Sequence, residues 1–178
     1  MKPGQSEFAK SFLTESRHSI AVYHLSRLTR CLKLLPEKDI WWRPNPASNS
    51  VGNLVLHLSG NVRQWIVSGL GNERDKRERD REFAERGPIP RRALIALIRK
   101  TVKEACTVLG RLSEDSLNKT YDIQGFRVSG MYAVSHVVEH FAYHTGQIIF
   151  VTKWKLDKDL RFTRLPGEKP RKAVVRVP

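Results

Sequence analysis

Three histidines recur every four residues in the stretch His136-Val-Val-Glu139-His140-Phe-Ala-Tyr143-His144-Thr145-Gly-Gln147. On an α-helix four residues turn the chain by about 400°, so each imidazole sits about 40° around from the last and about one turn along. Such a row offers ring nitrogens to a divalent metal, and two neighbours reach a single ion. On a helical wheel centred at His140, the residues Ala133, His136, Val137, Tyr143, His144, Gln147, Ile148 and Val151 share its face. The histidines therefore point to the apolar side, where a neutral imidazole needs a hydrogen-bond partner or a metal. Histidines satisfied by ordinary hydrogen bonds are the plainer alternative, and the strict spacing of three favours the metal.

A second segment offers a further ligand. Ser50, Asn53, His57, Asn61, Gln64 and Ser68 form a polar stripe beside an apolar face of Val51, Val55, Leu58, Val62 and Trp65. Such a stripe suits a helix lining a solvated site, and equally any amphipathic surface helix. His57 taken with His140 and His144 makes a three-imidazole site with positions left for water or substrate, the arrangement of catalytic metals. Imidazole suits zinc, nickel, iron and copper alike. A rival motif lies in the same stretch, because His136-Val-Val-Glu139-His140 matches the H-x-x-E-H pattern of inverzincin proteases. Glu139 stands about 100° from His140 on the wheel, and no large second domain is present to hold a polypeptide, so protease chemistry is disfavoured.

Four long helical patterns must position these residues, and no set of alternating strands competes with them, which predicts an all-α chain. The first runs from Glu7 to Leu35 and stops before Pro36. A turn-rich connector follows, with Trp41 and Trp42 plugging one end of the core. Ser50 caps the second helix, which ends near Gly69. Positions 71–90 then separate it from the third, far more than the roughly 2 to 8 residues of an antiparallel helix pair. A crossover that leaves helices two and three parallel explains that length. Pro90 opens the third helix, which reaches Leu112, and Asn118 to Val128 reads as a small hairpin or an extended loop. Ser129 caps the last helix, which carries the histidines and ends near Trp154. The reading divides the chain into a bundle over 1–154 and a basic tail over 155–178, laid on the surface or disordered.

Composition narrows the function classes. The 178 residues carry 32 Lys plus Arg against 18 Asp plus Glu, a formal net charge of +14. Such an excess invites a polyanion partner. Its distribution argues otherwise, since nine basic and three acidic residues fall within 153–178, and the run Glu73 to Glu82 mixes both signs as a solvated surface would. Nucleic-acid binding through the tail is the weaker expectation. Cys31 and Cys106 sit in apolar helical segments and read as reduced core thiols. No signal-peptide h-region or membrane span is visible, so a cytoplasmic protein without a membrane partner is expected.

At these residues the chain resembles the DinB-like superfamily of metal-binding four-helix bundles, and within it the DUF1572 group. The resemblance is carried by Trp41-Trp42-Arg-Pro-Asn-Pro with Asn49-Ser50, and by Asn53-Leu-Val-Leu-His57-Leu-Ser-Gly-Asn61. It continues through Asp80-Arg-Glu-Phe83, Tyr121-Asp-Ile-Gln-Gly125 and His140-Phe-Ala-Tyr-His144-Thr-Gly-Gln147. It implies a DinB-like four-helix bundle, up-down-down-up, with the long crossover between helices two and three. It also implies His57, His140 and His144 as ligands of a divalent transition metal, zinc or nickel first and iron after them. His136, Asn53, Asn61, Gln147 and Tyr143 then fall around the metal or in a substrate pocket. Thr145 stands where the superfamily often has Arg, which puts a substrate contact borrowed from such members in doubt. Characterised relatives include thiol S-transferases that use bacillithiol and a maleylpyruvate isomerase that uses mycothiol. The resemblance thus implies a homodimeric enzyme in which the metal activates a low-molecular-weight thiol, or water, for transfer to a small-molecule electrophile. No catalytic side chain is assigned. A noncatalytic bundle for metal or ligand sensing, or a basic polyanion-binding protein, stands as the alternative.

Overall fold

A computed structural model describes residues 6–163 and Gly167. The first long helix, α1, runs through Glu7–His18, Ser19–His24 and Leu25–Leu34 without a break. Its middle segment is π-helical, with Leu25 N–H donating to the Ile20 carbonyl five residues back. Helix α2 comprises Val51–Val62 and a π-helical continuation Arg63–Leu70, α3 spans Arg91–Leu109, and α4 spans Gly130–Leu156. Single helical turns at Glu37–Ile40, Arg79–Ala84 and Glu114–Asn118 punctuate the connections.

Sequence chemistry sets the ends. Ser50 Oγ accepts from the Asn53 backbone N–H at 3.1 Å while Asn53 Oδ1 accepts from the Ser50 N–H at 3.2 Å, a reciprocal cap. Such a cap contributes about 1 kcal/mol. Ser129 Oγ accepts from the Tyr132 N–H at 3.1 Å to start α4, and Asp157, left-handed at φ 45°, ends it. Leu28, Leu32, Leu58, Ile66, Leu94, Ile98, Leu109 and Phe141 fill the centre of the bundle.

Contacts along the helices fix their directions. Arg91 at the start of α3 donates to the carbonyls of Lys33 and Leu35 at the end of α1, which makes those two antiparallel. The connection over 71–90 begins beside the far end of α2, where Arg63 meets Glu73. It returns to the start of α2, where Asn53 Nδ2 donates to the Glu82 and Glu85 carbonyls at 2.8 and 2.9 Å. Trp41 Nε1 then donates to the Ile89 carbonyl at 3.2 Å. Helix α3 therefore starts level with the start of α2 and runs parallel to it, and Arg63 near the end of α2 reaches Glu104 near the end of α3. His136 near the start of α4 meets Asn61 in α2, and Lys155 at the end of α4 meets Asp39 just after α1. The order is up-down-down-up, with the crossover lying as a strap along α2.

The helical expectation is met, and of the two forms expected for Asn118 to Val128 the hairpin is the one present. Strands β1 (Thr120–Ile123) and β2 (Phe126–Ser129) pair antiparallel, Thr120 opposite Ser129 and Ile123 opposite Phe126. Gln124 and Gly125 turn the hairpin at φ 53° and 82°, the left-handed pair of a two-residue turn. The expected tail begins differently, since Leu160 is buried and Phe162 lies under the Arg27 and Arg30 guanidinium groups. The rest of that expectation falls outside the described residues.

Candidate metal centre

Helices α2 and α4 cross so that His57, His140 and His144 bring one ring nitrogen each within 4.8 Å of one another. His140 Nε2 lies 3.1 Å from His57 Nε2 and 3.1 Å from His144 Nε2. Two nitrogens bound tetrahedrally to one metal at about 2.05 Å stand about 3.3 Å apart, close to this spacing.

The outer rings are held by partners that fix their tautomers. His57 Nδ1 lies 3.0 Å from Glu82 Oε2, and an ionised carboxylate only accepts, so Nδ1 carries the proton and Nε2 is left with its lone pair. Arg77 Nη2 also lies 3.1 Å from His57 Nδ1, but it donates to Glu82 Oε2 at 2.8 Å, so all three groups meet at one carboxylate. His144 Nδ1 donates to Gln147 Oε1 at 2.7 Å, which leaves its Nε2 likewise unprotonated. His140 Nε2 therefore faces two lone pairs, and one proton on it cannot serve both well. Protonating the ring fully is costly, because burial first, and then the charges of His144 and His57, push it down to about 3. Its Nδ1 has no hydrogen-bond partner among the described residues. A divalent cation among the three Nε2 atoms resolves the conflict, so the donor set fits a metal.

The Glu82 support comes from the strap. Arg77 clamps Glu82 with Nε on Oε1 and Nη2 on Oε2, both at 2.8 Å, while Nη1 donates to Gln64. Burial raises the Glu82 carboxyl, but the Arg77 and His57 hydrogen bonds outweigh it and hold the group below its ordinary 4.5. Gly60 on α2 makes the approach feasible, since a Cβ there would fall on the Glu82 carboxylate. Phe83 covers His57 at a ring separation of 4.6 Å. The run Glu73 to Glu82, expected to be solvated throughout, is corrected here: the side chains of Arg77 and Glu82 are only 4% and 11% exposed. Mixed charge gave no signal for which of these ten positions faces inward, although Glu82-Phe83 lies within one of the motifs that carry the family resemblance.

Beside the triad lies a cleft of about 260 Å³. Its wall is His136 stacked on Trp65 at 4.0 Å, with Tyr132 and Phe126 each 6.4 Å from the Trp65 ring. Asn61 Nδ2 donates to His136 Nε2 at 3.2 Å, and both line the cleft. Burial first, and then Arg77, hold His136 below its ordinary value against the opposing pull of Glu139. His144 is also lowered, by burial chiefly, while its bond to Gln147 works the other way.

Two expected pocket residues stand elsewhere. Asn53 is spent on the Ser50 cap, the strap carbonyls and Arg43 Nη2 at 2.7 Å, so it anchors the strap instead of facing the cleft. Tyr143 is 64% exposed on the outer face of α4, its ring edge-on to His144 at 5.0 Å. Thr145 is buried. The hairpin supplies what the sequence pattern did not foresee: Gln124, whose Oε1 accepts from Trp65 Nε1 at 3.0 Å, and Phe126 at the rim.

Among solved structures the chain is similar to a DinB-like protein from Bacillus cereus ATCC 10987, at 17% identity and a TM-score of 0.62, over 82% of this chain and 91% of that one. It is similar to a conserved protein from Enterococcus faecalis at 14% identity and a TM-score of 0.65, over 87% and 99%. A DinB-like protein from Bacillus subtilis matches at 16% identity and a TM-score of 0.61, over 81% and 93%. These likenesses establish the fold. No curated protein matches the chain. No helix among the described residues is long and apolar enough to cross a membrane. The family model described as "Protein of unknown function (DUF1572)" matches residues 7–169, and the chain belongs to that family.

Proposed function

We propose that this is a divalent-metal protein in which His57, His140 and His144 hold the ion, and that the centre activates a thiol or a water for transfer to a small electrophile. The observation that carries it is the pair of 3.1 Å approaches of His57 and His144 Nε2 to His140 Nε2, with the outer rings protonated on Nδ1 by virtue of Glu82 and Gln147. A divalent metal supplies a Lewis acid there, at which a thiol or water loses its proton near neutral pH. Glu82 and Gln147 keep the imidazole lone pairs aimed inward, and three protein ligands leave a further position for thiol or water. Trp65, His136, Tyr132 and Phe126 wall the adjoining cleft and orient the electrophile beside it. The all-nitrogen donor set suits several divalent transition metals, and the reading takes zinc or nickel first, with iron after them.

Metal analysis of protein purified without chelator, beside His144→Ala, tests the site: about one ion per chain is expected in the first and little in the second. Equal metal content in both would sink it. Turnover across a panel of low-molecular-weight thiols and electrophiles tests the chemistry. Stoichiometric metal with no turnover would place the chain among noncatalytic metal- or ligand-binding bundles. The same reading carries a cytoplasmic homodimer, for which the exposed Tyr143, Phe150 and Trp154 along α4 offer apolar surface. Sedimentation at micromolar concentration checks that expectation, and a monomer would overturn it.

A further inference from the structure

The cleft beside the triad has a chemical character of its own. Its rings present stacked faces, with His136 tilted 30° to Trp65, Tyr132 tilted 15° to His136 and Phe126 tilted 28° to Trp65, while Tyr132 and Trp65 are 45° apart. Stacked ring faces around a narrow space favour a flat, conjugated guest over a puckered one. Phe126 and Tyr132 are 59% and 55% exposed at the mouth and give it an apolar rim. The volume of about 260 Å³ is below the usual range for drug-sized ligands and suits one ring with a short substituent.

The charge of the cleft is one-sided. Among the described residues no Asp or Glu lines it. Arg77 is neutralised by Glu82, but Arg79 has no carboxylate partner among the described residues, and its guanidinium lies over Phe83 at 4.8 Å. An arginine that lies over an aromatic face and lines a cleft is suited to bind a carboxylate there by two parallel hydrogen bonds. We propose that the cleft binds a small planar aromatic carboxylate, its ring against the Trp65, His136, Tyr132 and Phe126 wall and its carboxylate on Arg79. This deepens the metal reading by naming a substrate class for the same site, yet it stands on residues that do not touch the triad nitrogens.

The test is calorimetric titration of the full chain with benzoate, benzamide, cyclohexanecarboxylate and benzylamine, in metal-loaded and chelator-treated protein. Benzoate is expected to bind about tenfold tighter than each of the others in both states. Arg79→Gln should erase its advantage over benzamide, and Phe126→Ala should weaken benzoate several-fold while leaving metal content unchanged. Both side chains are exposed, so neither variant threatens folding. No benzoate preference, or a preference that survives Arg79→Gln, overturns the proposal. A preference seen only with metal also overturns it, because the carboxylate would then sit on the ion. Metal content measured on the same samples separates failure of this inference from failure of the metal reading.

Discussion

Two cationic regions flank α3, and they use charge in opposite ways. On one side the strap brings Arg77 and Glu82 out of water and locks them to each other and to His57. On the other, the groove between α1 and α3 is lined by Arg17, Arg30, Lys33, Arg99 and Lys103, all exposed and with no acidic residue in the lining. A buried ion pair must be fully hydrogen-bonded to be tolerated, and that requirement makes it directional. The groove cations stay exposed and none forms an ion pair among the described residues; their contacts are the Arg30 guanidinium over Phe162 and Arg17 beside Cys106. The residues that shape the candidate site are thus a small buried minority of a large surplus.

Glu82→Gln strikes hardest at this difference. It leaves the Arg77 charge buried without its counter-ion and weakens the acceptor that sets the His57 tautomer. A loss of about 3 kcal/mol in stability is expected, with metal affinity falling about 10 to 100-fold. Denaturant titration and competitive metal titration measure the two. Unchanged affinity would mean that the strap does not orient His57.

Gly60→Ala tests the same contact through space instead of charge. The added Cβ would displace the Glu82 carboxylate, a cost of about 1 to 3 kcal/mol for overpacking, set against about 1 kcal/mol of helix propensity gained. Net destabilisation with weaker metal binding is expected. A more stable variant with intact affinity would show that Glu82 can retreat freely.

Acid probes the two sites differently. In chelator-treated protein His140 is held to about 3 from an ordinary 6.5, and Glu82 lies below its ordinary 4.5. The unfolded chain therefore takes up these protons first. The contribution to stability is full above about 6.5 and is lost as pH falls toward 3. Urea midpoints at stepped pH should decline through that window, and His140→Gln should flatten the upper part of the decline. An unchanged slope in the variant would assign the acid sensitivity elsewhere.

How much of this was legible beforehand depends on whether a residue belongs to a periodic pattern. His140 and His144 announce themselves because helical period and chemistry coincide, and the same period exposes the polar stripe holding His57 and Asn61. Long connections also speak, since the length over 71–90 already required the parallel crossover. Arg77, Glu82 and Arg79 were silent, because inside an aperiodic charged run only the path of the strap and the gap at Gly60 decide which side chains turn inward. Asn53 misled for a related reason: it lies on the His57 face of the wheel, but at the first turn of α2 capping takes its side chain before a pocket can. The hairpin was visible as a shape from its Gln124-Gly125 turn, while its delivery of Phe126 to the cleft is a tertiary fact.

The smallest effect is expected where the most charge stands exposed. Arg99→Gln with Lys103→Gln removes two cations from the α1/α3 groove, neither of which forms an ion pair among the described residues. Stability should move by no more than about 0.5 kcal/mol, and metal content should not move at all. If the groove cations repel one another, the variant gains slightly at low ionic strength. That gain should fade by about 0.1 M salt, where the screening length falls to about 10 Å. A salt-independent loss of stability would mean that these side chains are doing what Arg77 does, holding a partner in place. The contrast between the strap and the groove would then be one of exposure alone, and no longer one of role.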